Sequence, residues 1–377
     1  GTKTEEGVFL NLNQVNTVNA SLGGDLAATN LDAVNVVATA GGLDLFSATK
    51  MGSGSNVTRE TMDALPSANR NIQDYIRLDP RISQVSKADG AISAGGQNTR
   101  YNAIRIDGIS ASDPFGLGSN NLPTERQPVS MDAIQEINID LANYDTTIAG
   151  GTGAVINAVT KSGTNEFHGT VYGSYRDKDM VRSRLEGDKS DFNGFKDEKT
   201  YGMTFGGPIV KDKLFFFTNY EKYERSGGGV SLSDSPYNKD PSKGGISDAD
   251  ISAVQKRMAE LGHPVGGVSD LNNKTEIEEY AVKLDWNINE NHRAALRYNK
   301  MKQDVVRFPQ VSSSALSLSD FWYTQPTQYE TWMGELFSDW SENFSTEFKV
   351  SHKDYSSNRV AASHLPQMRV RFGNNSL

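Results

Sequence analysis

The chain has 377 residues, of which 36% are hydrophobic and 23% charged, and its formal net charge is -9. This acidic balance lacks the basic field that attracts proteins to phosphate backbones, so nucleic acid is not an expected partner. Cysteine is absent, which excludes disulfides, thiolate metal sites and cysteine nucleophiles. The length is sufficient for more than one folded module.

The sequence contains no stretch of about 18 uncharged apolar residues, so it predicts no membrane-spanning helix. Its mean hydropathy of -0.54 is still compatible with a membrane β-barrel, because barrel strands alternate lipid-facing apolar and lumen-facing polar residues. The first residue is Gly1 rather than a methionine, and the residues after it do not form a secretory leader. We therefore expect a mature, trimmed or partial chain.

The first part of the chain carries two β-prone runs in a small, polar background. Val8, Leu10 and Leu12 alternate with polar residues, which predicts the last strands of a domain that begins upstream. A second apolar run, residues 31–38, lies within a stretch of linker composition.

Short helices are predicted at the start of the middle region. Thr58 can cap a helix that ends before Pro66, since the residue before a proline is disfavoured in a helix. A second helix is predicted from about Asn69, with Pro80 closing it.

Strands follow in the same region. Residues 101–106 alternate into Asp107-Gly108, a dipeptide suited to a tight hairpin turn. Ser130 can cap a turn that leads into a strand over 136–139, and a further strand is predicted over 154–160. The middle region therefore predicts a compact α+β domain.

From Phe167 onward the sequence alternates with period two. In residues 279–287, for example, Tyr280, Val282 and Trp286 occupy one face and charged or small residues the other. One face of each strand is apolar, as in an antiparallel sheet with two different environments. The pattern predicts seven strands, at roughly 165–176, 199–208, 214–224, 278–287, 292–301, 328–340 and 344–355.

The connections between these strands alternate between short and long. Outer-membrane barrels have short periplasmic turns and long outer loops, so the long connections 177–198, 225–277 and 302–327 are expected outside the cell. Trp286 and Trp340 lie beside short turns, as expected of an interfacial aromatic girdle. The pattern favours an antiparallel transmembrane β-barrel, and it is incomplete because an odd number of strands does not close a bacterial barrel.

Several segments resemble TonB-dependent outer-membrane receptors, in particular the Oar-like branch that carries a carboxypeptidase-regulatory-like domain ahead of its plug. Residues 150–169 are similar to the family's passage from plug to first barrel strand. Residues 100–108 resemble the plug hairpin, and residues 132–139 resemble the step before the passage. Residues 205–217 resemble the second strand, turn and third strand of that branch.

The resemblance implies a domain order and one departure from the family. It places the remnant of a regulatory-like domain at 1–23, a linker at 24–40, the plug at 41–163 and the first barrel strands at 164–377. Siderophore-importing relatives carry an Arg-Gly-Pro segment where residues 140–144 stand here, which weakens siderophore import as the default.

The resemblance also implies candidate functional segments. A TonB-box-like run for pairing with a periplasmic partner is expected at Leu31, Asp32, Ala33, Val34, Asn35, Val36 and Val37. The alternative is that this run is an ordinary strand of a neighbouring domain. The plug-hairpin residues are Arg100, Asn102, Asp107 and Gly108, and the passage residues are Gly150, Gly151, Gly153, Asn157, Thr160 and Lys161.

The sequence lacks the common motifs of enzymes and metal sites. The histidines are far apart and none has the HExxH spacing, and no GxSxG elbow occurs. Gly151-Thr152-Gly153 lacks the third glycine and the following helix of a dinucleotide loop. We therefore expect no enzyme activity, no metal and no cofactor.

Three functions remain open on the sequence alone. The first is energised uptake of an unknown extracellular ligand across the bacterial outer membrane, with a TonB-type periplasmic protein and outer-membrane lipid as partners. The second is a non-energised adhesin or surface binding protein of the same architecture. The third is a soluble carbohydrate-binding β-protein, in which the apolar strand faces would meet each other.

Overall fold

In a computed structural model of the chain, the residues described are 53–377 except 66, 68, 86–89, 117, 142, 144–147, 182–193, 229, 231, 233–234, 239, 241, 243, 271–272 and 364–366. The predicted strands near Val8, the linker and the TonB-box-like run lie outside the described residues.

The first part of the described chain forms a small mixed domain, which we call the plug. Its elements are β1 (Ser53–Thr58), α1 (Arg59–Ala64), α2 (Ile72–Ile76), β2 (Ile82–Gln84), β3 (Ile92–Ala94), β4 (Ala103–Ile106), β5 (Ile109–Ser110), β6 (Ile134–Leu141) and β7 (Ala154–Thr160). The sheet order is β1-β6-β7-β4-β5, in which only β4 and β7 run parallel, and β2 pairs with β3.

Local signals in the sequence set these elements. The Thr58 side chain accepts a hydrogen bond from the Thr61 backbone N–H and caps α1, as predicted. The Asp107-Gly108 turn has φ values of 49° and 78°, which suits the predicted hairpin of β4 and β5. The second helix begins at Ile72 rather than at Asn69 because Arg70, with a φ of 52°, is outside the helical region.

The plug has its own apolar core. Ile76 of α2 and Ile137, Ile139 and Ile156 of the sheet are completely buried and belong to one cluster. Burial of such side chains stabilises a domain by about 1.5–3 kcal/mol each.

The second part of the chain forms a large antiparallel sheet, the barrel sheet. Its elements are β8 (His168–Asp177), β9 (Asp197–Val210), β10 (Leu214–Ser226), α3 (Asp248–Glu260), β11 (Lys274–Asn289), β12 (His292–Arg307), β13 (Tyr323–Ser341), β14 (Phe344–Ser357), β15 (Val360–Ala361), β16 (Arg371–Phe372) and β17 (Asn375–Ser376). Strands β8 to β14 are neighbours in chain order, β15 pairs with β13, and β16 pairs with β17. Among the described residues, no helix is long and apolar enough to cross a membrane.

All seven predicted strands are confirmed, and several are longer at the ends that lead into the long connections. The strand predicted to end near 301 continues to Arg307, and the strand predicted from 328 begins at Tyr323. Backbone pairing continues there although Lys300 and Lys302 interrupt the apolar alternation. The apolar pattern therefore marks the lipid-facing length of a strand and not its whole length.

The barrel sheet exposes its apolar face and buries its polar face. Val282 and Trp286 of β11 are 42% and 50% exposed, whereas Glu279 on the opposite face is 3% exposed. This arrangement is the reverse of that in a soluble protein. It matches a sheet whose apolar face contacts lipid and whose polar face contacts a plug. It contradicts the soluble alternative, in which the apolar faces would meet each other.

The long connections pack together around a second small core. Ser247 caps the start of helix α3 and forms a capping box with Asp250. Ile251 of this helix is buried with Ile246, Leu318 and Trp322 from the same and the following connection. The apolar face of this helix therefore packs on the neighbouring connections.

We expect an engineered disulfide to link these two connections. A Cβ at Gly266 would lie 3.1 Å from the Cβ of Ser319, which is closer than the roughly 3.5–4.5 Å between the Cβ atoms of a disulfide, so the two connections must move slightly apart when the bond forms. The chain has no cysteine, so the variant Gly266→Cys with Ser319→Cys is expected to lose free thiols spontaneously. Persistence of two reactive thiols in the purified double variant would contradict the docking of these connections.

Candidate functional site

Two carboxylates of the barrel sheet meet beneath the plug. Glu221 of β10 and Glu279 of β11 are directly opposite in the strand register, and both are buried. Like charges at opposite positions are unfavourable, and buried charges require partners. Much of the required compensation comes from the plug.

Glu279 is held by one plug group and two barrel amides. The Ser130 backbone N–H donates to its Oε2 over 3.3 Å. The side-chain amides of Asn219 and Asn299 donate to its two oxygens over 2.6 and 3.0 Å. Since Ser130 is the cap of the turn before β6, the same residue orders the plug chain and docks it on the barrel.

Glu221 receives two hydroxyl groups and faces two arginines. Ser130 Oγ and Tyr172 OH donate to its Oε2 over 3.0 and 2.7 Å. Two plug cations lie close to it, with Arg126 at 3.5 Å and Arg70 at 3.9 Å. These arginines also stack on Tyr223 and Tyr172 of the barrel at 4.7 and 4.4 Å from the ring centroids, a favourable cation–π geometry.

A second contact joins the plug hairpin to the barrel. Asp107 forms a buried ion pair with Arg297 of β12. The backbone and the hydroxyl of Thr160 each donate to Asp107 over 2.7 Å. Burial alone would raise the pKa of Asp107, but the charges of Lys283 and Arg297 and the Thr160 bonds lower it to about 2.

A third contact lies nearer the outer ends of the strands. Arg307 at the end of β12 donates to the Glu125 carboxylate over 2.8 Å. The Glu125 backbone N–H donates to Gln303 Oε1 over 2.9 Å. The plug is thus attached to the barrel sheet at three levels, each time through polar groups.

The structure brings the predicted hairpin and passage residues together. The parallel pairing of β4 with β7 places Asn157 where its side chain accepts from the Gly108 N–H over 2.8 Å. Asn102 accepts from the Ala154 N–H over 3.1 Å. A Cβ at Gly153 would lie 2.5 Å from Asn102 Oδ1, so glycine is required for this approach.

Among the described residues, the remaining predicted hairpin and passage residues form no hydrogen bond to this group of residues through their side chains. Gly150 and Gly151 have φ values of 80° and 82°, a conformation that favours glycine. The Lys161 N–H donates to Ala133 O over 2.8 Å. Burial, assisted by the charge of Arg59, lowers the pKa of Lys161 to about 8. Arg100 is exposed on the turn before β4 and does not join this group.

Sequence reasoning missed the charged contacts between plug and barrel. Nothing in the alternation distinguishes Glu221 or Glu279 from other residues of a polar strand face. It also missed an outer aromatic girdle. Five lipid-facing aromatic residues are each followed, two positions toward the outer end, by a charged residue: Tyr201, Tyr220, Tyr280, Tyr298 and Trp332. That repeated pair of residue types was a usable signal.

Among the residues that the structure describes, no group of three or more acidic or histidine side chains could hold a metal ion. The absence of a metal or cofactor in the whole protein stays a prediction.

The chain is similar to known outer-membrane proteins. Residues 159–258 match the family described as Outer membrane beta barrel domain. The TonB-dependent transporter Oar of Myxococcus xanthus is 26% identical over an alignment of 318 residues that covers 78% of this chain. The chain spans 27% of the length of that relative.

Solved structures have the same fold. The outer-membrane transporter YddB of Escherichia coli has a TM-score of 0.54 at 15% identity, over 79% of this chain and 38% of YddB. The alcaligin outer-membrane receptor FauA of Bordetella pertussis has a TM-score of 0.53 at 13% identity, over 86% of this chain and 42% of FauA. These likenesses concern the fold alone. The proteins in these comparisons are transporters and receptors rather than enzymes.

Proposed function

We propose that this chain, which is homologous to the TonB-dependent outer-membrane receptors and lies in the bacterial outer membrane, gates the uptake of an extracellular ligand. The observation that carries the proposal is the polar contact between plug and barrel. Glu221, Glu279 and Asp107 make their contacts across this boundary through hydrogen bonds and ion pairs. Water can replace such bonds when a plug moves, whereas separation of an apolar core would expose the whole core to water.

The uptake is proposed to be energised by a TonB-type periplasmic protein. The run 31–37 would pair with that partner as an added strand, because backbone pairing supplies affinity while tolerating a variable sequence. It is β-prone, lies in polar surroundings and precedes the plug. The ligand is outside the cell and its chemistry is left open.

The variant Val36→Pro is expected to abolish energised uptake. Proline removes a backbone donor from the pairing strand, and Val36 precedes residues 53–377, in which the plug and barrel sheets are described. The measurement is ligand accumulation by cells, with surface level and ligand binding measured in parallel.

Ala27→Pro, in the same linker region but outside the run, is the matched control and is expected to transport normally. Uptake by Val36→Pro at normal surface level would show that the coupling segment lies elsewhere. If this uptake also does not depend on the proton gradient, the alternative of a non-energised surface binding protein is favoured.

We also expect the long connections to face outside. A cysteine at Ser242, which is exposed in the connection between β10 and β11, should react with an impermeant thiol reagent on whole cells. A cysteine at Asn289, the last residue of β11 before the short turn, should react only after the outer membrane is opened. The opposite labelling pattern would reverse the orientation.

A further inference from the structure

A chain of ion pairs leads from the first strand and helix of the plug to the barrel. Arg59 is the first residue of α1 and directly follows β1. Its guanidinium lies 3.6 Å from Asp132, and Asp132 also pairs with Arg70. Arg70 in turn lies 3.9 Å from Glu221 of the barrel.

Arg59 also holds the backbone beside Asp132. It donates to the carbonyl oxygens of Met131 and Ile134 over 2.8 and 3.3 Å. This turn is capped by Ser130, which contacts both Glu221 and Glu279. The strand and helix at the start of the plug therefore reach the barrel carboxylates by two routes through the same turn.

Arg70 occupies a conformation that its surroundings must impose. Its φ of 52° is in the left-handed region, which a non-glycine residue seldom adopts and which persists only where other contacts fix it. The Ser67 hydroxyl accepts from its N–H over 2.8 Å. Asp132, Glu221 and the Tyr172 ring all hold its side chain. Loss of one of these contacts weakens the others.

Glu221 does not depend on Arg70 alone. Arg126 remains 3.5 Å from it, and Tyr172 and Ser130 donate to it. A shift of Arg70 therefore leaves the buried carboxylate partly compensated, so the contact can loosen without exposing an unpaired charge.

We propose that Asp132 is a positioning residue that couples the β1–α1 unit of the plug to the Glu221 contact with the barrel. Displacement of Arg59 removes one of the two cations of Asp132 and two bonds of the 131–134 turn, and Arg70 and Ser130 then loosen from Glu221. The inference rests on the proposed function only for the source of the displacement, a pull on the segment before β1.

The test is a double-variant cycle in the intact protein in outer-membrane vesicles, without any partner. The reporter is a single cysteine at Ala281, a barrel residue that is 7% exposed and lies in β11 between Glu279 and Lys283, which both contact the plug. A soluble thiol reagent reaches it only when the plug separates from the wall.

In the otherwise unchanged protein, Arg59→Ala is expected to raise the labelling rate about tenfold. In the Glu221→Gln background, Arg59→Ala should raise the rate less than about twofold, because the effects of coupled residues are not additive. Asp132→Asn should likewise reduce the effect of Arg59→Ala on the labelling rate. It serves as the second background if Glu221→Gln prevents insertion of the protein into the membrane. Arg59→Lys, which keeps the charge, should restore part of the normal rate.

The matched control is Arg77→Ala. Arg77 is exposed, and within the described part of the chain its side chain donates only to Asp74 O, over 3.1 Å, so its removal should act equally in every background. An equal effect of Arg59→Ala with and without Glu221, and with and without Asp132, would overturn the proposal. The proposed function is tested separately, because normal uptake by Val36→Pro would refute energised transport and leave the measured coupling intact.

Discussion

Asp107→Asn is expected to lower the free energy of unfolding of the plug by about 3 kcal/mol, the range for breaking a buried ion pair. The variant removes the ion-pair partner of the Arg297 guanidinium, whose side chain is 6% exposed. It also weakens the acceptor for both bonds from Thr160. The measurement is the urea concentration at the midpoint of plug unfolding in outer-membrane vesicles, with unfolding monitored by protease digestion.

Two further variants separate the ion pair from a general effect of substitution. Asp339→Asn alters an exposed carboxylate of β13 and should shift the midpoint little. Asp107→Asn combined with Arg297→Met removes both charges and should recover a large part of the loss. If the combined variant is no more stable than Asp107→Asn, the buried charge of Arg297 is not the cause.

The sign of the pH dependence follows from the lowered pKa of Asp107. A carboxyl whose pKa is lower in the folded than in the unfolded state stabilises the fold above its ordinary pKa. That contribution declines as the pH falls through the folded value of about 2. The free energies of unfolding of the wild type and of Asp107→Asn should therefore differ most near neutral pH and become similar in strong acid.

Local chemistry made most of the fold predictable. The caps at Thr58 and Ser130, the Asp107-Gly108 turn and the period-two strands depend on residues close together in sequence. Each of these signals has a fixed spacing, because helix caps, turns and strand pleats have fixed geometry.

The charged contacts could not be predicted because they join distant parts of the chain. Ser130 meets Glu279 and Asp107 meets Arg297 across long separations in sequence. On a lumen-facing strand face each of these residues is one polar residue among many. Which of them pair is decided by the seating of the plug, and the unusual φ of Arg70 has no local sequence signal.

Gly202 illustrates where sequence and structure give opposite expectations. Glycine weakens the interior of a strand because it adds backbone entropy and packs no side chain. Sequence alone therefore favours Gly202→Ala as a stabilising change in β9. In the structure, a Cβ at this position would lie 2.3 Å from Tyr172 OH and 2.6 Å from Tyr220 O, so the tyrosine or the strand must move.

We expect Gly202→Ala to destabilise the plug–barrel contact by about 2 kcal/mol, within the range for overpacking. The displaced Tyr172 hydroxyl is the group that donates to Glu221 over 2.7 Å and contacts Ser130 Oγ at 2.8 Å. The same urea midpoint measures the loss. The control is Gly334→Ala, where the new Cβ would lie 3.5 Å from Val350 Cγ1, an ordinary contact that should change little.

Tyr172→Phe separates the steric effect of Gly202→Ala from the lost hydrogen bond. The phenylalanine removes the hydroxyl oxygen but keeps the ring carbon Cζ, which would lie 2.5 Å from the new Cβ, and it also removes a donor from Glu221. Each single variant should therefore be destabilised, and the double variant should lose less than the sum of the two, because both disturb the same hydrogen bond to Glu221. A strictly additive result, or a Gly202→Ala variant as stable as Gly334→Ala, would mean that β9 can move away and that Tyr172 does not fix the plug on the barrel.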